Sequence, residues 1–306
     1  MRATHLIGPM LGALTVLCWS GYNVAAKHGI DAGLSPQALA FLRFALPGLV
    51  ALPVLAIRYV LGVRTGIPLL RLAALIFLGG PLFGVVAVSG YVHAPLSHGL
   101  LFAPVAVFVV GGVLGAVLLS ERLTFRRLVG ASVMFLGLAM LVGLDVRGLG
   151  PDWGQGVALF VLAGSMWGGY TVLLRFWRIP VIDGTVAVAA GSALVSLPLL
   201  GVTASETLRS VSWSDLMLQM VMQGLVGGVV SVVALIGAVR LLSAQSASLL
   251  PIFTPVVALG LAAVLFGSVP SGAEIVGVTI IAAGFLLSLG VSIPRSHLTG
   301  PVNDTV

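Results

Sequence analysis

The sequence predicts an all-α membrane protein: ten transmembrane helices arranged as two inverted five-helix repeats around a central cavity. Three observations predict it. Hydrophobic residues make up 59% of the 306-residue chain and charged residues 8%, where soluble proteins carry roughly a quarter charged. The chain repeats its own marks at half its length. Trp19-Ser20-Gly21-Tyr22-Asn23 returns as Trp167-Gly168-Gly169-Tyr170-Thr171, an offset of 148 residues. Leu101-Phe102-Ala103-Pro104 answers to Ser248-Leu249-Leu250-Pro251, and Gly130 and Gly137 answer to Gly277 and Gly284, all at 147. Finally, arginines gather in every second joint between apolar runs.

A span of a ~30 Å hydrocarbon core takes about 20 apolar residues. Runs of that kind place helices at about 6–26, 36–57, 69–91, 97–119, 128–144, 155–176, 184–203, 214–238, 246–266 and 274–292. The runs are long and lack period-2 alternation, which argues against spanning strands. The first run follows a single basic residue, Arg2, as a signal peptide would. Its repeat partner around Trp167 lies mid-chain and cannot be cleaved off, so the first run reads as a structural helix. With the N-terminus inside, the cytoplasmic segments hold 11 of the 15 basic residues, among them Arg58, Arg64, Arg71, Arg122, Arg126 and Arg127. The outer segments hold Lys27, Arg147 and Arg209, and Arg43 lies within helix 2. That bias puts both termini in the cytoplasm. Five helices are an odd number, so the second copy enters the membrane upside down, and inverted repeats mark secondary transporters. The division is residues 1–147 and 148–293 for the repeats and 294–306 for a short cytoplasmic tail.

The net charge of +6 belongs to these joint arginines and points to topology rather than to nucleic acid. Cys18 is the single cysteine and lies within a span, so no disulfide framework or thiolate metal site is expected. No Gly-x-x-x-x-Gly-Lys motif suggests ATP hydrolysis. No spanning run has a central Asp or Glu.

Further marks carry a resemblance. They are the Trp-x-Gly-Tyr of each first helix, Phe41-Leu42-Arg43-Phe44 in helix 2, the stretch from Pro104 to Ser120-Glu121-Arg122-Leu123, and the Gly130/Gly137 helix. In this order, over nearly all of residues 6–292, the chain resembles the EamA-type members of the drug/metabolite transporter superfamily. The resemblance implies two five-helix bundles around a cavity that carries small metabolites, often outward. The expected protein is an inner-membrane secondary carrier, not an enzyme, without cofactor or metal, and a monomer whose partners are its substrate and the bilayer. Amino-acid export is the specific expectation. A carrier of anionic metabolites or nucleotide-sugar-like substrates is the alternative, and it calls for inward-facing cations such as Arg43. Where the family carries Gly-Glu, the second copy has Gly267-Ser268. The four-helix multidrug members use a first-helix Glu, where this chain has Leu14, Thr15 and Val16.

The candidate site residues follow from depth. Trp153, Trp177 and Trp213 fall at helix ends, where indoles join the interfacial belt. Trp19 and Trp167 lie roughly 18–20 Å into their helices, just beyond the midplane. Tyr22 and Asn23 follow Trp19 at i+3 and i+4, and Tyr170 and Thr171 follow Trp167 in the same way. The two sets read as paired aromatic and hydrogen-bonding walls for a substrate. Packing is the bland alternative. Tyr91, with His93 and His98, flanks the outer joint between helices 3 and 4, where a solvated loop His is the bland reading. His98 corresponds by repeat to Gln245, and Gln223, Ser231, Ser246 and Ser248 add neutral polar groups. A membrane-embedded enzyme using His93 and His98 is the reading from another class, and it needs carboxylates within reach. Glu121 is expected to pair locally with Arg122 or Arg126, and Arg43 either to snorkel or to meet an ion or substrate. The small residues Gly111, Gly115, Gly130, Gly137, Gly277 and Gly284 are expected to pack each repeat internally.

Overall fold

The computed structural model describes residues 4–62, 66–121, 124–145, 150–242 and 250–289, and all their regular structure is helical. Arg2, Arg64, Arg122, Arg147, Gln245, Ser246, Ser248, Arg295 and the tail 294–306 lie outside the described residues. The helices are α1 (Thr4–Asp31), α2 (Pro36–Val60), α3 (Leu69–Gly79), α4 (Pro81–His93), α5 (Leu96–Leu119) and α6 (Phe125–Asp145). They continue as α7 (Trp153–Phe176), α8 (Val181–Ser210), α9 (Trp213–Gln219), a π-helical stretch (Met220–Val230), α10 (Ser231–Leu241), α11 (Leu250–Phe266) and α12 (Gly272–Leu289). Among the described residues, six rods are long and apolar enough to cross a bilayer: α2, α3 with α4, α5, α7, the first part of α8, and α9 through α10.

Local chemistry sets the ends and breaks. Ser35 caps α2 by accepting the Ala38 N–H at 3.2 Å, and Pro36 stands at the first helical position, where its missing N–H costs nothing. Ser212 caps α9 in the same way through the Asp215 N–H at 3.1 Å. The run expected as one helix over 69–91 is two. Pro81 has no N–H to continue the ladder, and Gly80 takes a conformation (φ −102°, ψ −148°) that ends α3. The run expected as one α-helix over 214–238 contains the π-helical stretch, whose sequence holds Gly224, Gly227 and Gly228. Both α5 and α11 close on a left-handed residue, Ser120 (φ 56°) and Gly267 (φ 67°). Glu121 N–H then reaches Gly115 O at 3.1 Å, and Ser268 N–H reaches Ala262 O at 3.3 Å, the same six-residue closure at each end.

Packing directions come from the contacts. At one end of α2, Ser35 Oγ lies 3.0 Å from Thr207 Oγ1 of α8. At the other, Arg58 Nη2 donates to Asp183 Oδ1 at 2.7 Å. The two helices therefore run antiparallel, and they touch midway where a Cβ on Gly48 would collide with Ala193. Helices α6 and α12 are also antiparallel: Gly130 faces Gly284 and Ser288, while Gly137 faces Ile280 and Ile281. A Cβ on Gly130 would sit 2.5 Å from Gly284 O, and one on Gly284 would sit 2.7 Å from Gly130 O, so here backbone meets backbone. Gly130, Gly137 and Gly284 thus join one half of the chain to the other rather than packing each half internally. Sequence spacing displays a small-residue face but not its partner. Gly111 and Gly115 differ again: a Cβ on Gly111 would meet nothing within 4 Å, and one on Gly115 would meet the Glu121 carboxylate.

The main contacts of α1 and α7 also cross between halves. Helix α1 lies parallel to α11, with Gly12 against Leu250 and Ser20 Oγ donating to Thr254 O at 3.1 Å. It runs antiparallel to α10 and the π stretch. Helix α7 lies parallel to α5, with Gly164 on Ala103 and Gly168 on Val107 and Gly111. Its other neighbours are α3 and α4.

Overpacking a close contact costs about 1–3 kcal/mol. Gly130→Ala is therefore expected to lower the melting temperature of the detergent-solubilised protein. Gly111→Ala, whose Cβ meets open space, should leave stability within about 0.5 kcal/mol of the parent. Equal melting temperatures for the two variants would refute backbone contact between α6 and α12.

Candidate functional site

Polar groups concentrate where α1, α2, α4 and the π stretch meet. In lipid a polar side chain needs an internal partner. Asn23 Nδ2 donates to Trp19 O at 2.8 Å, one turn back on α1. Its Oδ1 accepts from Tyr91 Oη at 3.0 Å, so α4 is tied to α1. Tyr91 is buried, with its ring edge-on to Phe160 at 5.0 Å. From the opposite side, buried Gln223 Nε2 donates to Tyr22 O at 2.9 Å and lies 3.2 Å from Gln219 Oε1. Gln219 Nε2 in turn donates to Ala25 O at 2.6 Å.

Arg43 projects from α2 into this cluster. Its guanidinium carbon lies 4.1 Å from the centre of the Tyr22 ring, a cation–π contact. Its Nη1 is enclosed and has no hydrogen-bond partner among the described residues. Gly227 of the π stretch faces it, where a Cβ would stand 3.0 Å from Nη1 and 3.1 Å from the Tyr22 ring. The described carboxylates lie near helix ends, and their ion-pair partners are Lys27, His28, Arg58, Arg127 and Arg175.

The second wall has a different character. Trp167 stacks on Tyr170 at 4.9 Å and lies 5.2 Å from Phe83 of α4, with the indole 36% exposed. Tyr170 is buried against Leu75 and Val188, and a Cβ on Gly79 would strike its ring. Thr171 Oγ1 donates back to Gly168 O at 2.9 Å. Trp19, by contrast, packs half-buried against the apolar cluster of Val16, Ala238 and Leu250. The described contacts therefore join Tyr22, Asn23, Tyr91 and Gln223 in one network and place Trp167, Tyr170 and Thr171 in another. Trp19 touches the first through its carbonyl.

Two expectations are corrected. His98 is not a solvated joint residue. It is fully buried in the first turn of α5, stacked on Phe102 at 5.8 Å and edge-on to Trp153 at 6.5 Å. The helix begins a residue earlier than expected and carries the ring into the bundle. Glu121 pairs not with its sequence neighbour Arg126 but with Arg175 at the end of α7, and its other carboxylate oxygen lies 4.0 Å from Arg127. Gln219 was missed, although two glutamines four apart in an apolar run were visible in the sequence. So was His28, which stacks on Phe266 at 4.5 Å and lies 3.2 Å from Asp215 Oδ1. A further apolar cleft between α5, α11 and α12 is lined by Leu101, Phe285, Pro255 and the repeat-related prolines Pro104 and Pro251.

Comparison with known proteins agrees with this architecture. One solved crystal structure matches with a TM-score of 0.62 at 23% identity, covering 92% of this chain and 96% of its own, a likeness of fold. No curated protein sequence matches. The model of the EamA-like transporter family matches twice, over residues 6–143 and 154–290. Matched in two copies over nearly its whole length, the chain belongs to the EamA-like transporter family and is a membrane transporter of small molecules.

Proposed function

We propose that this transporter is a secondary carrier that moves small metabolites, amino acids or related zwitterions, outward across the inner membrane by alternating access. Ten spans form two five-helix repeats, residues 1–147 and 148–293, inverted about a central site, and both termini are cytoplasmic. The observation that carries this reading is the direction of counterpart helices. By the repeat, α8 is the counterpart of α2 and α12 of α6, and both pairs run antiparallel. Two copies of one fold facing opposite ways favour a site that is open to either side in turn. The pairing of helix ends supports it as well. Arg58 with Asp183 and Glu121 with Arg175 join ends that this topology puts inside, while Ser35 with Thr207 and His28 with Asp215 join ends that it puts outside. Substrate contacts are assigned to Trp19, Tyr22, Asn23 and Tyr91 with Gln223 on one wall and to Trp167, Tyr170 and Thr171 on the other. Gln245 and His98 are assigned to the two mouths.

Uptake and counterflow in proteoliposomes against a metabolite panel, with and without a pH gradient, test the reading. Substrate-specific counterflow that needs no ATP is expected. A reporter fused after Val306 should be active only in the cytoplasm, and activity on the other side would remove the ten-span topology and the inversion together.

The two tryptophans separate transport from packing. Truncating a buried aromatic costs about 3–5 kcal/mol. Trp19→Ala should approach that loss, since its ring packs among apolar side chains. Trp167→Ala should lose less, its indole being 36% exposed, and Trp213→Ala, 72% exposed, should be nearly neutral. Counterflow should drop at least about tenfold in both mid-membrane variants, because rigid aromatic faces supply substrate contact area. Full flux in well-folded Trp19→Ala and Trp167→Ala would leave the paired walls without a transport role.

A further inference from the structure

We infer that Arg43 is the docking point for a carboxylate on the transported molecule, held between α1, α2 and the π-helical stretch. This assignment rests on the carrier reading above and narrows its substrate class.

The argument starts from what a guanidinium in a bilayer requires. Its five N–H donors and its charge are costly to bury unless paired. The other polar side chains of the cluster find internal acceptors: Gln219 takes Ala25 O, Gln223 takes Tyr22 O, and Tyr91 takes Asn23 Oδ1. Arg43 does not. Its guanidinium lies on the Tyr22 ring and its enclosed Nη1 meets no acceptor. No described carboxylate pairs with it. Snorkelling to the headgroups does not describe it either. Arg43 lies seven residues into α2, roughly 10 Å along the axis, and its Nη1 faces Tyr22 and Gly227 within the bundle. That placement also disfavours a lipid headgroup as the ligand.

The facing residue, Gly227, has no side chain, and π-helical turns concentrate at functional sites. The Tyr22 ring covers the guanidinium, whose fork of donors has the planar bidentate geometry that arginine shares with carboxylates. Pro47 has no N–H, so the Arg43 carbonyl lacks its usual helical donor, and it faces Gly228 of the π stretch. The counterpart of Arg43 at the 147-residue offset is Ala190, so the second half carries no such cation.

The test uses the full-length protein and matched probes: L-leucine, N-acetyl-L-leucine, L-leucine methyl ester, L-leucinamide and inorganic phosphate. Thermal stabilisation in detergent reads binding, and proteoliposome counterflow reads transport. L-Leucine and N-acetyl-L-leucine should stabilise the parent, and the ester and amide should not. Arg43→Gln should weaken carboxylate binding at least about tenfold, as expected for losing a charge-assisted hydrogen bond, and Arg43→Lys should retain part of it. Gly227→Ala keeps the charge but fills the space at Nη1, so it should weaken the same binding even if Arg43→Gln fails to fold. The assignment is overturned if no carboxylate stabilises the parent, if phosphate alone does, if the ester binds as well as the acid, or if Arg43→Gln and Gly227→Ala bind carboxylates like the parent. Counterflow of the ester or amide that is indifferent to both substitutions keeps the carrier and removes the carboxylate dock. Arg43-dependent binding without any flux keeps the dock and removes the carrier.

Discussion

The structure depends on bringing backbones together across its two halves. Lipid is as apolar as leucine, so burial alone gives helices no reason to associate, and dispersion between closely fitted surfaces must do it. Glycines supply the fit. The Gly130 and Gly284 backbones touch, as each virtual Cβ against the other's carbonyl shows, and Gly48 admits Ala193. These contacts lock α6 to α12 and α2 to α8. The α2–α8 pair is fastened at both ends too, by the Ser35–Thr207 hydroxyls and the Arg58–Asp183 ion pair. With those helices committed, α1 and α7 pack across the other half: α1 on the π stretch, α10 and α11, and α7 on α3, α4 and α5. The residues of chemical interest lie on these two helices and on what they face.

Polarity at that place is costly and is distributed unevenly. On the α1 side a chain of amides and hydroxyls satisfies itself through backbone carbonyls, and Arg43 is left with an aromatic face and an enclosed, unpartnered nitrogen. On the α7 side, Trp167, Tyr170 and Phe83 form an aromatic stack, and Thr171 turns its hydroxyl inward to its own helix. The duplicated Trp-x-Gly-Tyr motif has therefore come to serve two environments: one that holds a charge, and one that offers apolar ring area.

Apolar run length and punctuation made most of the helices legible in the sequence, because a spanning helix must satisfy its own backbone and so is written locally. The break at Gly80-Pro81 was written there too, as Pro within an apolar run, and its strength lies in a missing N–H. The π stretch was not legible: Met220–Val230 has ordinary apolar residues, and what distinguishes it is which helices press on its glycines. Partners across the bundle escaped in the same way. Glu121 has arginines beside it in sequence but meets Arg175 because α5 and α7 lie parallel and end together. His98 looked like a joint residue because it follows the expected break between helices 3 and 4. Only the fold shows that Phe102 and Trp153 close over it. The candidate site was legible as residue types and depth, through Trp19, Tyr22, Asn23 and Tyr91, while the Gln219–Ala25 bond and the Gly227 that faces Arg43 come from more than a hundred residues away.

The fastening pattern also limits how such a bundle can change shape. A pair tied at both ends and touching in the middle, as α2 and α8 are, moves as one body. Helix α1 is tied to α9 through His28 and Asp215 at one end, and α7 to the end of α5 through Arg175 and Glu121 at the other. Between those ties, α1 meets its partners through amide-to-carbonyl bonds and buried Val16, Val24 and Ala26, and α7 through small residues and buried Phe160, Tyr170 and Leu174. Arg43 stands on α2, which is fastened to α8, while Tyr22, which covers its guanidinium, belongs to α1. A shift of α1 against that pair would therefore change the cover on the cation.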